Sequence, residues 1–174
     1  MKKTLKQFIR EAASKPEKVS IFVGRFQPFH LGHAKIVKMM KYKPLILLVK
    51  GAGTSEDKNK NPLSAEYQEK LIKKVYPNVE VRIVKNAFLN PIVYHIQKSG
   101  EQVVAELLAG PDRIDHYRKR LEKEYPEIEY TKTPRFTSAT DVRNAIKNGD
   151  EEEFKKLMPP KLYSEWDHLR KLIQ

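Results

Sequence analysis

Two histidines three residues apart, His30 and His33, stand in the string Gly24-Arg25-Phe26-Gln27-Pro28-Phe29-His30-Leu31-Gly32-His33. At the start of a helix this spacing puts both imidazoles on one face. They would stand over the helix N-terminus, where free N–H groups and the macrodipole favour an anion. Two ring donors at such an end make a cradle for phosphate. Gly24 and Gly32 let a ligand approach the backbone. Pro28 keeps the chain out of a helix until residue 29 or later. The competing reading is a pair of ordinary histidines, or half of a metal site. Zinc would need further ligands, and the sequence has no cysteine to supply them.

A later segment, Thr137-Ser138-Ala139-Thr140-Asp141-Val142-Arg143, has the form of a helix start. Ser138 or Thr140 can cap the helix, and its first N–H groups then form an anion site. Arg143 follows one turn later, and a guanidinium holds phosphate oxygens bidentately. Alone, this is also the pattern of a capped helix with a solvated arginine. Paired with the histidine turn, it reads as a second grip on phosphate. Gly110-Pro111-Asp112 fits nucleotide contact and a plain strand end with a helix cap equally well. Lys50-Gly51-Ala52-Gly53-Thr54-Ser55 lacks the Walker A spacing.

These residues need elements to position them. Apolar strand patterns occur at 19–23, 44–50, 79–84 and 102–108, with a short fifth at 128–130. Helical spacing occurs at 4–14, 31–41, 64–76, 91–98, 112–125, 140–147, 151–157 and 162–172, with Ser64 as an N-cap. Alternating strands and helices predict an α/β fold: a Rossmann-like, doubly wound parallel sheet of about five strands with a helical C-terminal extension. In such sheets ligands bind beyond the carboxyl ends of the strands, where strand order reverses. The histidine turn follows the first strand and sits at that edge. Residues 17–174 read as one domain, and 1–16 as an N-terminal helix or leader segment.

The string at 24–33 resembles the signature of the HxGH nucleotidyltransferase superfamily. With Gln27 it is similar to nicotinamide mononucleotide (NMN) adenylyltransferases of the archaeal type and related bifunctional bacterial enzymes. Residues 137–143 resemble the superfamily's ISSTxxR signature, keeping Thr140 and Arg143 and departing at Thr137 and Ala139. Gly110 and Asp112 resemble a Gly-x-Asp beside the nucleotide. Asn61-Pro62-Leu63-Ser64 resembles an NPFT stretch, but the Glu-Arg that follows it in the family is replaced by Tyr67-Gln68-Glu69. The resemblance implies transfer of AMP from ATP to NMN, giving NAD and pyrophosphate, with Mg2+ accompanying ATP. It implies catalytic roles for His30, His33 and Arg143. Nucleotide contacts are implied at Gly24, Arg25, Phe26, Gln27, Gly32, Gly110, Asp112, Thr137, Ser138 and Thr140, and no protein metal ligand. Two alternatives stay open: a cytidylyltransferase or adenylyltransferase for another phosphate ester, and a non-catalytic nucleotide- or RNA-binding module. The opening helix resembles leader segments of some tailed-phage proteins, which would place the protein in the host cytoplasm or virion.

Composition narrows the partners. The 174 residues carry 34 Lys+Arg against 22 Asp+Glu, a formal charge of +12. That excess favours anionic ligands. It is spread along the chain with no recognition motif, so phosphorylated small molecules are expected rather than nucleic acid. The run Leu45-Ile46-Leu47-Leu48-Val49 is strand-sized, so no membrane span is expected. The absence of cysteine is compatible with a cytoplasmic protein. A homo-oligomer is left open.

Overall fold

The computed structural model describes residues 2–12, 15–50 and 59–173. In chain order the elements are α1 (Leu5–Ala12), β1 (Glu17–Gly24), α2 (Leu31–Met39), β2 (Lys43–Val49), α3 (Ala65–Val75), β3 (Glu80–Val84) and α4 (Leu89–Gln97). Then come β4 (Gln102–Ala109), α5 (Ile114–Leu121), β5 (Glu129–Lys132), α6 (Ala139–Lys147), α7 (Glu151–Leu157), a 3-10 turn (Pro160–Glu165) and α8 (Trp166–Ile173). The strands form one sheet in the order β3-β2-β1-β4-β5, and every neighbouring pair is parallel. The order reverses at β1, whose carboxyl end is therefore the switch point.

The run 45–48 shows why the strands lack a polar face. Leu45 and Leu47 enter one core, Ile46 and Leu48 the other, and all are fully buried. A parallel sheet covered on both faces demands this. The smaller core is closed by α4 and α5 through Leu89, Val93, Ile114 and Tyr117. The larger is closed by α2, α3 and α6, together with Phe154, Trp166 and Leu169 of the last two helices. The C-terminal extension thus packs into the main core. Each such side chain, once buried, contributes ~1.5–3 kcal/mol.

A polar cluster fixes the register under α2. Glu106 of β4 is fully buried. It accepts from Ser20 Oγ at 2.7 Å, Thr131 Oγ1 at 2.7 Å and the Lys41 backbone N–H at 3.0 Å. Ser20 Oγ in turn accepts from the Tyr42 N–H at 3.0 Å. These bonds join β1, β4, β5 and the turn into β2, and they satisfy a carboxylate that would be costly to bury alone.

Several boundaries differ from the periodicity. The helix expected over 112–125 is only Ile114–Leu121. The one expected over 162–172 divides into the 3-10 turn, with Pro160 at its first position, and α8. α1 starts with a reciprocal cap between Thr4 and Gln7, but Leu5, Phe8 and Ile9 are 76%, 65% and 58% exposed. Residues 13 and 14, expected to end that helix, lie outside the described residues. No described helix is long and apolar enough to cross a membrane.

Candidate active site

The turn after β1 is built tightly. Phe26 has φ 53, a left-handed conformation costing an aromatic residue ~1–2 kcal/mol. Its ring offsets that cost by packing edge-on against Phe22 at 5.3 Å and His33 at 4.8 Å. A Cβ on Gly24 would lie 2.9 Å from the Phe26 ring, so the strand must end on glycine. The buried Gln27 amide donates to Leu63 O and accepts from Leu63 N, both at 2.9 Å. Gln68 accepts from the Phe29 N–H at 3.2 Å. Sequence resemblance assigned Phe26 and Gln27 to nucleotide contact. Phe26 lines the cleft that holds both histidines, while the Gln27 side chain is engaged with Leu63 and holds the turn in shape.

His30 is the N-cap of α2. Its Nδ1 accepts from the N–H groups of Gly32 at 3.1 Å and His33 at 3.4 Å. His33 Nδ1 accepts from the His30 N–H at 3.3 Å, closing a capping box made of two imidazoles. The rings stack with centroids 3.7 Å apart and planes at 20°. The helix end is therefore not open to an anion as the spacing suggested, because the imidazoles themselves occupy those N–H groups. Accepting at Nδ1 fixes the tautomer, so each neutral ring carries its proton on Nε2. Burial lowers the His30 pKa to about 4. Burial, and then the charge of His30, hold His33 well below its usual value. Both rings are neutral hydrogen-bond donors near pH 7.

Both line a cleft of about 240 Å³ at the carboxyl end of β1, with Gly24, Gly32, Gly110 and Thr137. A Cβ on Gly32 would lie 2.9 Å from His30 Cε1 and 3.2 Å from the Thr137 backbone nitrogen. The two sequence motifs thus meet at that glycine. Ser138 caps α6 by accepting from the Thr140 N–H at 3.1 Å. Arg143 donates from Nη1 to the Gln27 carbonyl at 2.8 Å and from Nη2 to Thr140 Oγ1 at 3.3 Å. The guanidinium is thereby held against the histidine turn from α6, which packs on the same face of the sheet as α2.

Asp112 lies exposed at the rim and pairs with Arg135, which also lines this cleft. The segment 51–55 lies outside the described residues. Sequence reading missed Thr133, Pro134 and Phe136, which form another wall, and Lys35, whose ammonium lies 5.1 Å from the Phe136 ring centre. It also missed a second cleft of about 460 Å³ on the other side of the β1 end, sharing Val23 and Gly24 with the first. Arg25 lines this second cleft, not the histidine one, together with Lys85, Asn86, Arg113 and Tyr117. Asn90 donates to the Arg120 carbonyl at 3.0 Å, and Tyr94 is an exposed helix residue. His95, His116 and His168 are exposed. Among the described residues, no group of three or more His, Asp or Glu side chains could hold a metal ion.

The nicotinamide/nicotinic acid mononucleotide adenylyltransferase of Acinetobacter baylyi is 28% identical over 143 residues, 74% of this chain and 75% of that protein. A nicotinamide-nucleotide adenylyltransferase of Sulfurisphaera tokodaii is 42% identical over 57 residues, covering 32% of this chain and 33% of that protein. The fold is shared with nicotinic acid mononucleotide adenylyltransferase of Plasmodium falciparum complexed with NaAD (TM-score 0.63, 10% identity, 90% of this chain and 97% of that one). It is also shared with a bifunctional NMN adenylyltransferase/ADP ribose pyrophosphatase of Francisella tularensis (TM-score 0.60, 20% identity, 90% of this chain and 52% of that one). The family described as cytidylyltransferase-like matches residues 21–145. The chain belongs to the cytidylyltransferase-like family of nucleotidyltransferases.

Proposed function

We propose that the protein transfers AMP from ATP to a pyridine mononucleotide, NMN being the acceptor its turn string resembles, with NAD and pyrophosphate as products. An oxygen of the acceptor phosphate attacks the α-phosphorus in line. The bond from α-phosphorus to the bridging oxygen breaks, and pyrophosphate leaves. No covalent enzyme intermediate forms. The protein's task is positioning and charge stabilisation. Mg2+ enters with ATP as part of the substrate.

The observation carrying this reading is the mutual capping of His30 and His33. It leaves each ring one donor, Nε2–H, beside a cleft that also contains Gly32 and Thr137. In a buried setting such preoriented neutral donors stabilise charge building on the transferring phosphoryl group without reorganising. Arg143, fixed by Gln27 and Thr140, is proposed to hold the phosphates that leave. Gly24, Gly110, Thr137 and Ser138 are proposed as backbone neighbours of the nucleotide. The proposed location is the cytoplasm, where both substrates are held.

Pyrophosphate release tests the assignment. ATP with a pyridine mononucleotide is expected to give pyrophosphate and a dinucleotide. Release with CTP and a different phosphate ester, but not with ATP, would turn the assignment to a cytidylyltransferase. Calorimetric binding of ATP without turnover on any acceptor would leave only a binding module.

A further inference from the structure

The second cleft, of about 460 Å³, falls within the size range of small-molecule sites. It lies across Val23 and Gly24 from the histidines. In-line transfer needs attacking and leaving groups on opposite sides of the α-phosphorus. With the triphosphate on the histidine side, the acceptor comes from this cleft.

Its charge is one-sided. Arg25 reaches it from the turn, Lys85 from the segment after β3, and Arg113 from the start of α5. No acid is among its described lining residues, which otherwise are Val23, Gly24, Val49, Asn86, Ala87 and Tyr117. None of the three cations makes a hydrogen bond or ion pair with another described residue. Other cations do: Lys50 pairs with Glu66, Arg82 with Glu80, Arg118 with Asp115 and Arg135 with Asp112. Asp112, next in sequence to Arg113, is thus engaged with a residue of the other cleft.

We infer that Arg25, Lys85 and Arg113 select a doubly anionic acceptor, so that the protein prefers the mononucleotide bearing a pyridine carboxylate to the one bearing a carboxamide. This rests on the adenylyl-transfer reading above. Both acceptors bring a phosphate dianion and a pyridinium cation. In the amide form that ring charge stands among three cations with no acid among the described lining residues to offset it. In the acid form the adjacent carboxylate offsets it and adds an acceptor for a guanidinium or ammonium. The same groups therefore favour the acid and disfavour the amide, the two halves of specificity. One charge-assisted hydrogen bond corresponds to about 10-fold or more in kcat/KM.

The test compares kcat/KM for nicotinic acid mononucleotide and NMN at saturating MgATP, in wild type, Lys85→Met and Arg113→Met. Both replaced side chains are exposed, so the fold has little reason to respond. Wild type is expected to prefer the acid about 10-fold or more, with each variant bringing the ratio toward one. Equal use of the two acceptors, a preference for the amide, or an equal loss on both acceptors in the variants would overturn the inference. Titration calorimetry of the two mononucleotides reads the same selection without turnover. Acid-selective binding with no transfer would leave the inference standing and remove the adenylyl-transfer reading. Equal binding with brisk transfer would do the reverse.

Discussion

His30 caps α2 with one ring nitrogen and is proposed to donate to phosphate with the other, and a pair of substitutions separates the two tasks. Nδ1 caps α2 through contacts of 3.1 and 3.4 Å, while Nε2 is left to donate. Asparagine is a good N-cap whose amide oxygen takes the place of Nδ1, but it has no donor where Nε2 stands. His30→Asn should therefore hold the fold and lose the chemistry. His30→Ala should lose both, because the N–H groups of Gly32 and His33 go unpaired. Loss of the cap corresponds to ~1 kcal/mol, or ~2–4 °C in Tm for a chain of this size. Loss of one preoriented donor to the transferring phosphoryl group lowers kcat ~10²–10³-fold. Urea unfolding and a coupled pyrophosphate assay read the two quantities independently. The expected pattern is near-native stability with ~10²-fold or greater loss of kcat for His30→Asn, and the same loss with lower stability for His30→Ala. Turnover of His30→Asn within ~10-fold of wild type would refute the assignment of the Nε2 donor. Equal destabilisation by both variants would refute the assignment of the cap.

Three further outcomes follow from the same geometry. Gly32→Ala adds a methyl 2.9 Å from His30 and 3.2 Å from the Thr137 backbone, so it should reduce kcat ~10²-fold by displacing both. Alanine's better helix propensity keeps the stability change within ~1 kcal/mol, and a normal kcat would refute the contact. Gln27→Ala removes two buried bonds to Leu63 and should cost ~2–5 kcal/mol in urea unfolding, while KM for ATP rises because the carbonyl holding Arg143 shifts; a loss under ~1 kcal/mol would contradict this. The third concerns pH. The unfolded chain binds a proton at His30 near pH 6.5, whereas the folded protein takes it only near pH 4. Stability is thus full above about pH 6.5 and falls as pH drops toward 4, by up to ~3 kcal/mol for this group. Unfolding midpoints should drop between pH 7 and pH 5 and drop less in His30→Asn; an unchanged slope in that variant would count against the buried neutral ring.

Much of this was legible because it is local. The apolar run at 45–48, the Ser64 and Ser138 caps and the strand-to-helix position of the histidines all follow from spacing within one element. What was not legible depends on residues far apart. Spacing put the two imidazoles together, but not the direction of Nδ1, which burial turned onto the α2 N–H groups. Gln27 reads as part of the ligand-side string, and its hydrogen-bond partner Leu63 stands 36 residues away. Glu106 breaks an apolar strand, and its partners Ser20, Lys41 and Thr131 come from elements that only the sheet brings together. The cations of the second cleft come from separate segments, each an ordinary surface charge in its own stretch of sequence.

The fate of the α-phosphate tests the central claim most directly. ATP labelled with ³²P at the α-position is incubated with each pyridine mononucleotide, and the products are separated. Wild type is expected to move the label into the dinucleotide, with one unlabelled pyrophosphate released for each transfer, and His30→Asn to do so ~10²-fold more slowly or worse. Label that stays in ATP at enzyme concentrations that bind it, or that reaches the dinucleotide at the wild-type rate in His30→Asn, would contradict adenylyl transfer at the histidine turn.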